Sequence, residues 1–135
     1  MAEQGKTAFE LVAPEQLLVS EPVDMVVVPG GEGDFGVLLG HTPLISTIRP
    51  GVIAVHNGGK VTDRIFVATG FAEVTPERCT VLAEVAVRVE DIDRAAVEAG
   101  LKNAREDAQD ARDESEREAA EMRIAVAEAM LAEAR

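Results

Sequence analysis

Residues 79–90 read Cys-Thr-Val-Leu-Ala-Glu-Val-Ala-Val-Arg-Val-Glu, a stretch in which small apolar side chains occupy every second position. Period-two alternation is typical of a β-strand with one covered face, because successive side chains point to opposite sides of a sheet. The side chains predicted to share the covered face are Cys79, Val81, Ala83, Val85, Val87 and Val89. This stretch therefore predicts one long strand of a larger sheet.

Shorter apolar segments precede this strand, and turn sequences separate them. Asn57-Gly58-Gly59 tolerates the positive φ angles of a hairpin turn, and Thr75-Pro76-Glu77-Arg78 is a second turn signal. Strands are predicted at 7–13, 16–20, 23–28, 44–48, 52–56, 61–68 and 71–74. Short strands at close spacing predict an antiparallel β-sandwich or barrel.

The sequence changes its character after this β region. All eleven glycines and all six prolines lie within residues 1–100, and the last 35 residues contain neither. This shift predicts a helical segment, since glycine and proline punctuate strands and turns. We therefore expect an α+β protein with a β domain at 1–88 and a two-helix antiparallel hairpin at 89–135.

Apolar spacing and capping residues locate the two helices. Asp91 and Asp93 favour a helix start, and Ser115-Glu-Arg-Glu118 matches a capping box, which predicts that the second helix begins at Ser115. The first helix has one apolar stripe, formed by Val97, Leu101, Ala104, Ala108 and Ala111. The second has two stripes, Ala119, Met122, Val126 and Ala129, and Ala120, Ile124, Ala127 and Leu131. Stripes rich in alanine bury little area per residue, so the hairpin is expected to pack weakly.

Composition excludes several classes of function. The 135 residues carry a formal charge of −12 and include four Phe but no Trp or Tyr, which argues against a nucleic-acid partner. His41 and His56 have no adjacent nucleophile motif and no metal-ligand spacing, so neither a catalytic site nor a metal or cofactor is expected. Cys79 is the only cysteine and is interpreted as a small buried hydrophobe.

No targeting or membrane-spanning segment is visible. The N-terminal Met1-Ala-Glu-Gln-Gly-Lys6 has neither an apolar nor an Arg-rich character, and no apolar run approaches the ~20 residues of a membrane span. We expect a soluble protein that reaches a membrane only through a partner.

A glycine motif between two predicted strands invites a nucleotide-binding interpretation. Gly31-x-Gly33-x-x-Gly36 matches the dinucleotide fingerprint, but that fingerprint requires a helix directly after it. Gly40 and Pro43 disfavour a helix there, and Glu32 and Asp34 would repel a phosphate. No Lys or Arg occurs between Lys6 and Arg49. The glycines are instead interpreted as turn residues of an exposed loop that presents Glu32, Asp34 and Phe35 to a partner.

The residues around this loop resemble one known family. The sequence resembles the epsilon subunits of F-type ATP synthases, a family that also includes the mitochondrial delta subunits. The resemblance lies in Val-Pro-Gly-Gly-Glu-Gly-Asp-Phe-Gly-Val-Leu-Leu-Gly-His-Thr-Pro-Leu at 28–44 and in Ile-Arg-Pro-Gly-Val at 48–52. Three family motifs occur in order and at the family's spacing: Gly-Glu-Gly-x-apolar-Gly, Gly-His-x-Pro-Leu and x-Pro-Gly. The resemblance covers nearly the whole sequence, and a start at Met1 without a presequence favours a bacterial member.

The resemblance implies a fold and a function. It implies a sandwich of about ten strands and a helical hairpin in a non-catalytic rotor subunit, peripheral on the cytoplasmic side of the bacterial inner membrane. This subunit would bind gamma and the c-ring and couple proton flow to ATP synthesis. The resemblance also implies that the helices can leave the sandwich, extend along gamma into the alpha/beta catalytic hexamer and block ATP hydrolysis, as they can in many bacteria. Inhibition stays a hypothesis here, because residues 106–121 hold eight acids and two arginines, whereas basic residues would be expected on such a tail.

Individual residues follow from the same resemblance. The family's acidic position, which lies toward the polar loops of the c-ring, falls on Asp34, with Glu32 and Phe35 beside it, and His41 falls on the position near gamma. Ile92 and Asp93 match the start of an ATP-binding motif, Ile/Leu-Asp-x-x-Arg-Ala, but Ala96 occupies its arginine position. A triphosphate without that cation is poorly held, so weak or absent ATP binding is expected.

A second hypothesis assigns the protein to a different functional class. The protein could be a stand-alone sandwich adaptor or chaperone whose helical hairpin binds clients. Such a protein has no need for these glycine and Gly-His-x-Pro motifs at fixed spacing, which favours the rotor subunit.

Overall fold

The computed structural model describes residues 5–134; residues 1–4, on which the predicted absence of a targeting segment partly rests, lie outside them. The chain divides into two compact units between Arg88 and Val89. The first unit contains eight strands: β1 Thr7–Ala13, β2 Gln16–Val23, β3 Met25–Gly30, β4 Gly33–Val37, β5 Leu44–Ile48, β6 Gly51–Asn57, β7 Lys60–Val74 and β8 Arg78–Arg88.

The eight strands form one hydrogen-bonded sheet with the order β2-β1-β8-β7-β5-β3-β4, and β6 pairs with both β3 and β7. Most neighbours are antiparallel, but β1 and β8 run parallel, with Phe9 opposite Cys79 and Leu11 opposite Val81. The expectation of a wholly antiparallel sheet was therefore wrong for this pair. The first and last strands meet here although nearly the whole domain separates them in sequence, so no local turn signal reveals their direction.

The long strand β7 pairs with two different strands along one of its edges. Residues 60–67 pair with β6, and residues 70–74 pair with β5. Thr69 lies between these parts with φ = 62°, an unusual angle for a β-branched residue. The β7 residues of the core cluster change from odd to even numbers across this point, from Ile65 and Val67 to Ala72 and Val74. Phe66 and Ala68, which point to the other face of the strand, are also buried. The bend at Thr69 thus lets the sheet fold over on itself around one core.

One apolar cluster forms the centre of the first unit, with members from all eight strands. Its buried side chains include Phe9, Leu11, Val23, Val26, Val28, Val37, Ile48, Ile53, Val55, Ile65, Val67, Val74, Cys79 and Val81. The prediction of a buried Cys79 is confirmed, and burial raises the pKa of its thiol to about 12. The shared face predicted for β8 is only partly right, since Val85 and Val87 lie outside the cluster and Ala86 packs against it.

The second unit is a pair of antiparallel helices after a short 3₁₀ turn at Val89–Asp91: α1 Arg94–Gln109 and α2 Glu114–Glu133. Arg105 pairs with Glu128 at 3.1 Å, and Asp107 pairs with Arg123 at 2.9 Å. A later residue of α1 thus meets an earlier residue of α2, as antiparallel helices require. The described buried side chains of this unit are Leu101, Ala104 and Ala120. The predicted stripe that begins at Ala120 is therefore the covered one, and Met122 of the other stripe is exposed.

The start of α2 differs from the prediction. Asp113 is the N-cap, and its carboxylate accepts a hydrogen bond from the backbone N–H of Glu116 at 2.8 Å. Glu116 in turn accepts from the backbone N–H of Arg112 at 3.0 Å. Asp113-x-x-Glu116 thus replaces the predicted box at Ser115. Aspartate and serine are comparable N-cap acceptors, but the carboxylate also carries the negative charge that the helix dipole favours. Similarly, Asp93 caps α1 whereas Asp91 lies in the 3₁₀ turn.

Two further differences concern the strand count. The structure has eight strands rather than the roughly ten that the resemblance implied, and the segments predicted at 61–68 and 71–74 form the single fifteen-residue strand β7. The predicted exposed loop after Gly31 also contains strand β4, which pairs with β3. The predicted absence of a helix after the glycine motif is confirmed, since residues 33–48 form a strand, a turn and a strand.

Candidate functional site

A tight turn that carries two acids connects β3 to β4. The strands pair as far as Gly30 opposite Gly33, so only Gly31 and Glu32 lie between their ends. We call residues 30–34 the acidic turn. It holds two of the residues predicted to contact a partner, Glu32 and Asp34, and both are exposed.

Backbone hydrogen bonds fix the base of the acidic turn to the end of β5. The N–H of Gly31 donates to the carbonyl of Thr47 at 2.8 Å, and the N–H of Arg49 donates to the carbonyl of Pro29 at 3.0 Å. A Cβ atom on Gly31 would lie 2.6 Å from Oγ1 of Thr47. A side chain at position 31 would therefore require the Thr47 hydroxyl to move, whereas glycine lets the turn approach β5 closely.

The side chain of Arg49 bridges the two sides of the acidic turn. Its Nη1 donates to the carbonyl of Gly30 at 2.6 Å, and its Nη2 donates to the carboxylate of Asp34. Sequence reasoning missed Arg49, and the only available signal was its position as the first cation after Lys6. Within residues 5–134, Glu32 has no hydrogen bond or ion pair, so its carboxylate is the unpaired one of the two.

Phe35 occupies a different environment from the two acids. It belongs to β4, its ring packs against the core cluster, and a Cβ on Gly30 would lie only 2.9 Å from that ring. The ring therefore supports the acidic turn from beneath rather than standing free at the tip. Its contact with the c-ring remains a prediction.

His41 lies on a separate segment between β4 and β5. The N–H of Gly40 donates to the carbonyl of Pro76 at 2.6 Å, which fixes this segment beside the β7–β8 turn. Nδ1 of His41 lies 2.6 Å from the carbonyl oxygen of Thr42. Because a carbonyl can only accept, Nδ1 carries the proton and Nε2 is left for another partner. Leu38 and Leu39 in the same segment are exposed, so His41 stands beside an apolar surface.

An exposed apolar row crosses the outer face of the sheet. Phe71 of β7 lies opposite Leu82 of β8, Leu82 lies opposite Val12 of β1, and Val12 lies opposite Leu17 of β2. We call these four residues the apolar row. Phe71 is 45% exposed, Leu82 38% and Leu17 58%, so this row is available at the surface. Three strand spacings of about 4.8 Å give it a length of roughly 14 Å.

Acidic residues border the apolar row on both sides. Glu10 and Glu73 both flank Thr80 in the next row of the sheet. On the other side, an open groove of about 520 Å³ includes Glu15 and Glu84 among its lining residues. An apolar strip between carboxylates is complementary to an apolar surface with basic residues at its edge.

The residues of the degenerate ATP motif lie at the start of α1. The carboxylate of Asp93 accepts from the N–H of Ala96 at 3.1 Å, so it is used as a helix cap. Arg94 pairs with Glu98 at 3.1 Å and donates to the carbonyl of Ala134 at 3.4 Å. The cation next to the motif is therefore already engaged within the helical unit.

Residues 5–134 provide neither a cluster of metal ligands nor a helix that could span a membrane. No group of three or more His, Cys, Asp or Glu side chains is placed there to hold a metal ion. None of the helices described is long and apolar enough to cross a membrane.

Two protein-family models match the chain in succession. The β-sandwich domain of the ATP synthase delta/epsilon chain matches residues 6–89, and the C-terminal domain of the ATP synthase epsilon chain matches residues 93–134. The chain belongs to the ATP synthase epsilon family. It is therefore a non-catalytic stalk subunit of an ATP synthase, and the reading as a stand-alone adaptor is set aside.

Curated relatives support this family at high identity. The ATP synthase epsilon chain of Rhodospirillum rubrum is 56% identical over 126 residues, which are 93% of this chain and 94% of the relative. The ATP synthase epsilon chain of Paramagnetospirillum magneticum is 54% identical over 132 residues, which are 98% of each sequence.

Solved structures share the fold of this epsilon-family protein. A subunit in the cryo-EM structure of the Euglena gracilis mitochondrial ATP synthase, comprising OSCP, F1 and the c-ring, aligns with a TM-score of 0.79 and 28% identity. That alignment covers 95% of this chain and 81% of the other. A subunit from the central stalk and c-ring of the Tetrahymena thermophila mitochondrial enzyme aligns with a TM-score of 0.59 and 14% identity, over 96% of both sequences, which shows a common fold alone.

Proposed function

We propose that this protein couples proton flow to ATP synthesis by binding the gamma subunit and the c-ring as part of the rotor. It would act peripherally, on the cytoplasmic side of a bacterial inner membrane. The observation that carries this proposal is the apolar row on a sheet with one continuous core. A contact that transmits torque must not deform, and a sheet face is preorganised for such a contact.

The apolar row is the proposed gamma-binding face. Exposed apolar side chains on neighbouring strands mark interaction surfaces more often than scattered ones do. Phe71 at its end on β7 has the size and rigidity of an interface anchor. Glu10 is already paired with Arg78 at 3.3 Å. Glu73, Glu15 and Glu84 form no ion pair among the described residues, and these three favour basic residues around an apolar centre on the partner. His41 is proposed as a second gamma contact, on the segment fixed beside the β7–β8 turn.

A pair of variants tests the gamma-binding face. Phe71→Ser combined with Leu82→Ser should weaken binding to purified gamma about 30-fold or more, because interface anchors each carry a large share of the affinity. Met122→Ser is the matched control, since Met122 is 55% exposed but lies on α2. Binding is measured by calorimetry with the full-length protein. Equal affinities of the two variants for gamma would reject this face.

The acidic turn is the proposed c-ring contact, together with Phe35 beneath it. Its carboxylates are exposed, and its base is held by the hydrogen bonds of Gly31 and Arg49. Acids in such a turn would pair with Arg or Lys in the polar loops of the ring, and this gives orientation more than affinity.

Two proposals concern the helical unit. ATP binding is weak or absent, with a dissociation constant above about 1 mM, because Asp93 caps α1 and Ala96 supplies no cation. Calorimetric titration of the full-length protein with ATP measures this directly. Inhibition of the alpha/beta hexamer is kept as a hypothesis, and deletion of residues 89–135 tests it. A rise in membrane ATP hydrolysis after deletion would support inhibition, and unchanged hydrolysis would remove it.

A further inference from the structure

We propose that Asn57-Gly58 is a deamidation site that the fold holds unreactive, with Asp24 and Thr62 as the residues that protect it. Asn57 is the last residue of β6, and Gly58 and Gly59 form the turn to β7. The chemistry belongs to the chain itself, so it does not depend on the proposed function.

The reaction at such a site converts asparagine into an acid. The backbone nitrogen of Gly58 attacks Cγ of Asn57, the new N–C bond forms as the Cγ–Nδ2 bond breaks, and ammonia leaves with the proton of the N–H. Water then opens the cyclic imide to aspartate or isoaspartate. Asparagine is a thermolabile residue, and a following glycine leaves the attacking nitrogen without a side chain to shield it. A Cβ on Gly58 would meet nothing within 4 Å among the described residues, so its surroundings add no steric shield.

Two hydrogen bonds hold the side-chain amide of Asn57 in place. Its Oδ1 accepts from the backbone N–H of Asp24 at 3.1 Å, and its Nδ2 donates to Oγ1 of Thr62 at 3.1 Å. Asp24 separates β2 from β3 and Thr62 belongs to β7, so the amide is fixed from outside its own strand. For Cγ to reach the next nitrogen, the side chain must rotate, and this rotation breaks both hydrogen bonds.

The attacking nitrogen is restrained as well. The N–H of Gly58 donates to Oδ2 of Asp24 at 2.7 Å, and a hydrogen bond to a carboxylate is stronger than one between neutral groups. Nζ of Lys6 lies 3.8 Å from Oδ1 of the same carboxylate and helps to orient it. A carboxylate is too weak a base to remove an amide proton, so this bond restrains the nitrogen and does not activate it. Asp24 thus holds both reacting groups, one through its backbone and one through its side chain.

Comparison of the folded and unfolded chains measures the protection. The full-length protein is incubated at mildly alkaline pH with and without urea, and the mass gain of the peptide that contains Asn57 is followed with time. Deamidation should be slower in the folded protein by about tenfold or more, because three hydrogen bonds must open before the attack. Equal rates at Asn57 in the two states would overturn the inference.

Two variants identify the protecting contacts. Thr62→Val removes the acceptor of the Asn57 amide, and Asp24→Ala removes the carboxylate that holds Gly58. Each should raise the rate in the folded protein about two- to tenfold and leave the rate in urea unchanged. Thr80→Val is the matched control, since Thr80 lies on β8 and its hydroxyl has a different partner. Its rate should equal that of the unmodified protein.

The opposite results each reject the proposed protection. A slower reaction in Asp24→Ala would mean that the carboxylate promotes the attack, and unchanged rates in both variants would mean that other contacts protect Asn57. An equal acceleration in Thr80→Val would attribute the effect to lost stability alone. Asp24→Asn keeps an oxygen acceptor for Gly58, so it should raise the rate less than Asp24→Ala, and an equal rise would contradict the role of that hydrogen bond. Circular dichroism identifies any variant that fails to fold, and Thr62→Val, which keeps nearly the same shape, then decides the outcome.

Discussion

Gly70 is the position with the least tolerance for a side chain among the described glycines. A Cβ at this position would lie 1.8 Å from the carbonyl oxygen of Leu82, which is backbone of the neighbouring strand β8. Because Thr69 already bends β7 here, the two strands must approach more closely than a side chain allows. Glycine is thus required for the fold itself, in contrast to the glycines of exposed turns.

Gly70→Ala should destabilise the first unit by about 3 kcal/mol or more, since a backbone atom has less freedom to move aside than a flexible side chain. Gly100→Ala is the control, because a Cβ there meets nothing within 4 Å and Gly100 lies inside α1. That change should stabilise the helix by about 0.5–1 kcal/mol. Denaturant unfolding of both variants measures these values, and a tolerated Gly70→Ala would contradict the described packing of β7 on β8.

Cys79 makes the stability of the first unit sensitive to alkaline pH. Its folded pKa is about 12, whereas an unfolded cysteine ionises near pH ~8.5. Between these values the unfolded state has released the thiol proton and the folded state has not. Stability should therefore be constant with respect to this group below pH ~8 and fall as pH rises, by about 2 kcal/mol at pH 10.

Cys79→Ala removes this group and tests the prediction. The variant should start from a lower stability at pH 7, because it leaves a small cavity, but lose less of that stability between pH 8 and pH 10. The sequence contains no tyrosine, which simplifies the alkaline titration. Chemical unfolding at several pH values gives both slopes, and identical slopes would show that the thiol is not protected.

Among the secondary-structure elements, α2 has two possible N-caps in the sequence, and the structure uses one of them. Both Asp113 and Ser115 precede a glutamate by three residues, so the sequence fits two capping boxes. The structure selects Asp113, and the hydrogen bond from the N–H of Arg112 lowers the pKa of Glu116 and its side-chain bond lowers it further. A carboxyl whose folded pKa is lowered stabilises the helix start above its unfolded pKa, and this is lost as pH falls through the folded value.

Asp113→Ala should destabilise the helical unit by about 0.5–2 kcal/mol, the usual cost of a lost N-cap. Ser115→Ala should change its stability little, because Ser115 lies inside α2 and alanine favours helices. Circular dichroism at 222 nm during urea unfolding compares the two. A larger effect at Ser115 would mean that the helix begins where the sequence first indicated.

The features predicted correctly from the sequence depend on local signals, whereas those that were missed depend on contacts between residues distant in sequence. Strands with clear alternation, such as the first half of β8, and turns with strong chemistry were predicted because their signals are local. Strand β4 was missed because two of its five residues are glycine and its formation depends on pairing with β3. In the acidic turn, the acids were predicted, but Arg49 lies fifteen residues from Asp34, and only folding brings the two together.

Considered as a whole, the protein has two units of very different internal strength. The first unit holds a cluster of seventeen buried apolar residues, whereas the described residues of the second bury only Leu101, Ala104 and Ala120. Two helices with so little buried area are marginal on their own, since helix formation in water is costly to nucleate. The ion pairs between α1 and α2 are exposed and add little.

We therefore expect the helical unit to unfold at a lower temperature than the sheet. Ellipticity at 222 nm follows the helices, and labelling of Cys79 by a maleimide follows the sheet, because that thiol is fully buried in its core. On heating, the helical signal should fall before Cys79 becomes reactive. Gly100→Ala should shift only the first of these transitions, since it acts inside α1. A single coincident transition would show instead that the two units stabilise each other, and a subunit of that kind could not release its helices without unfolding its sheet.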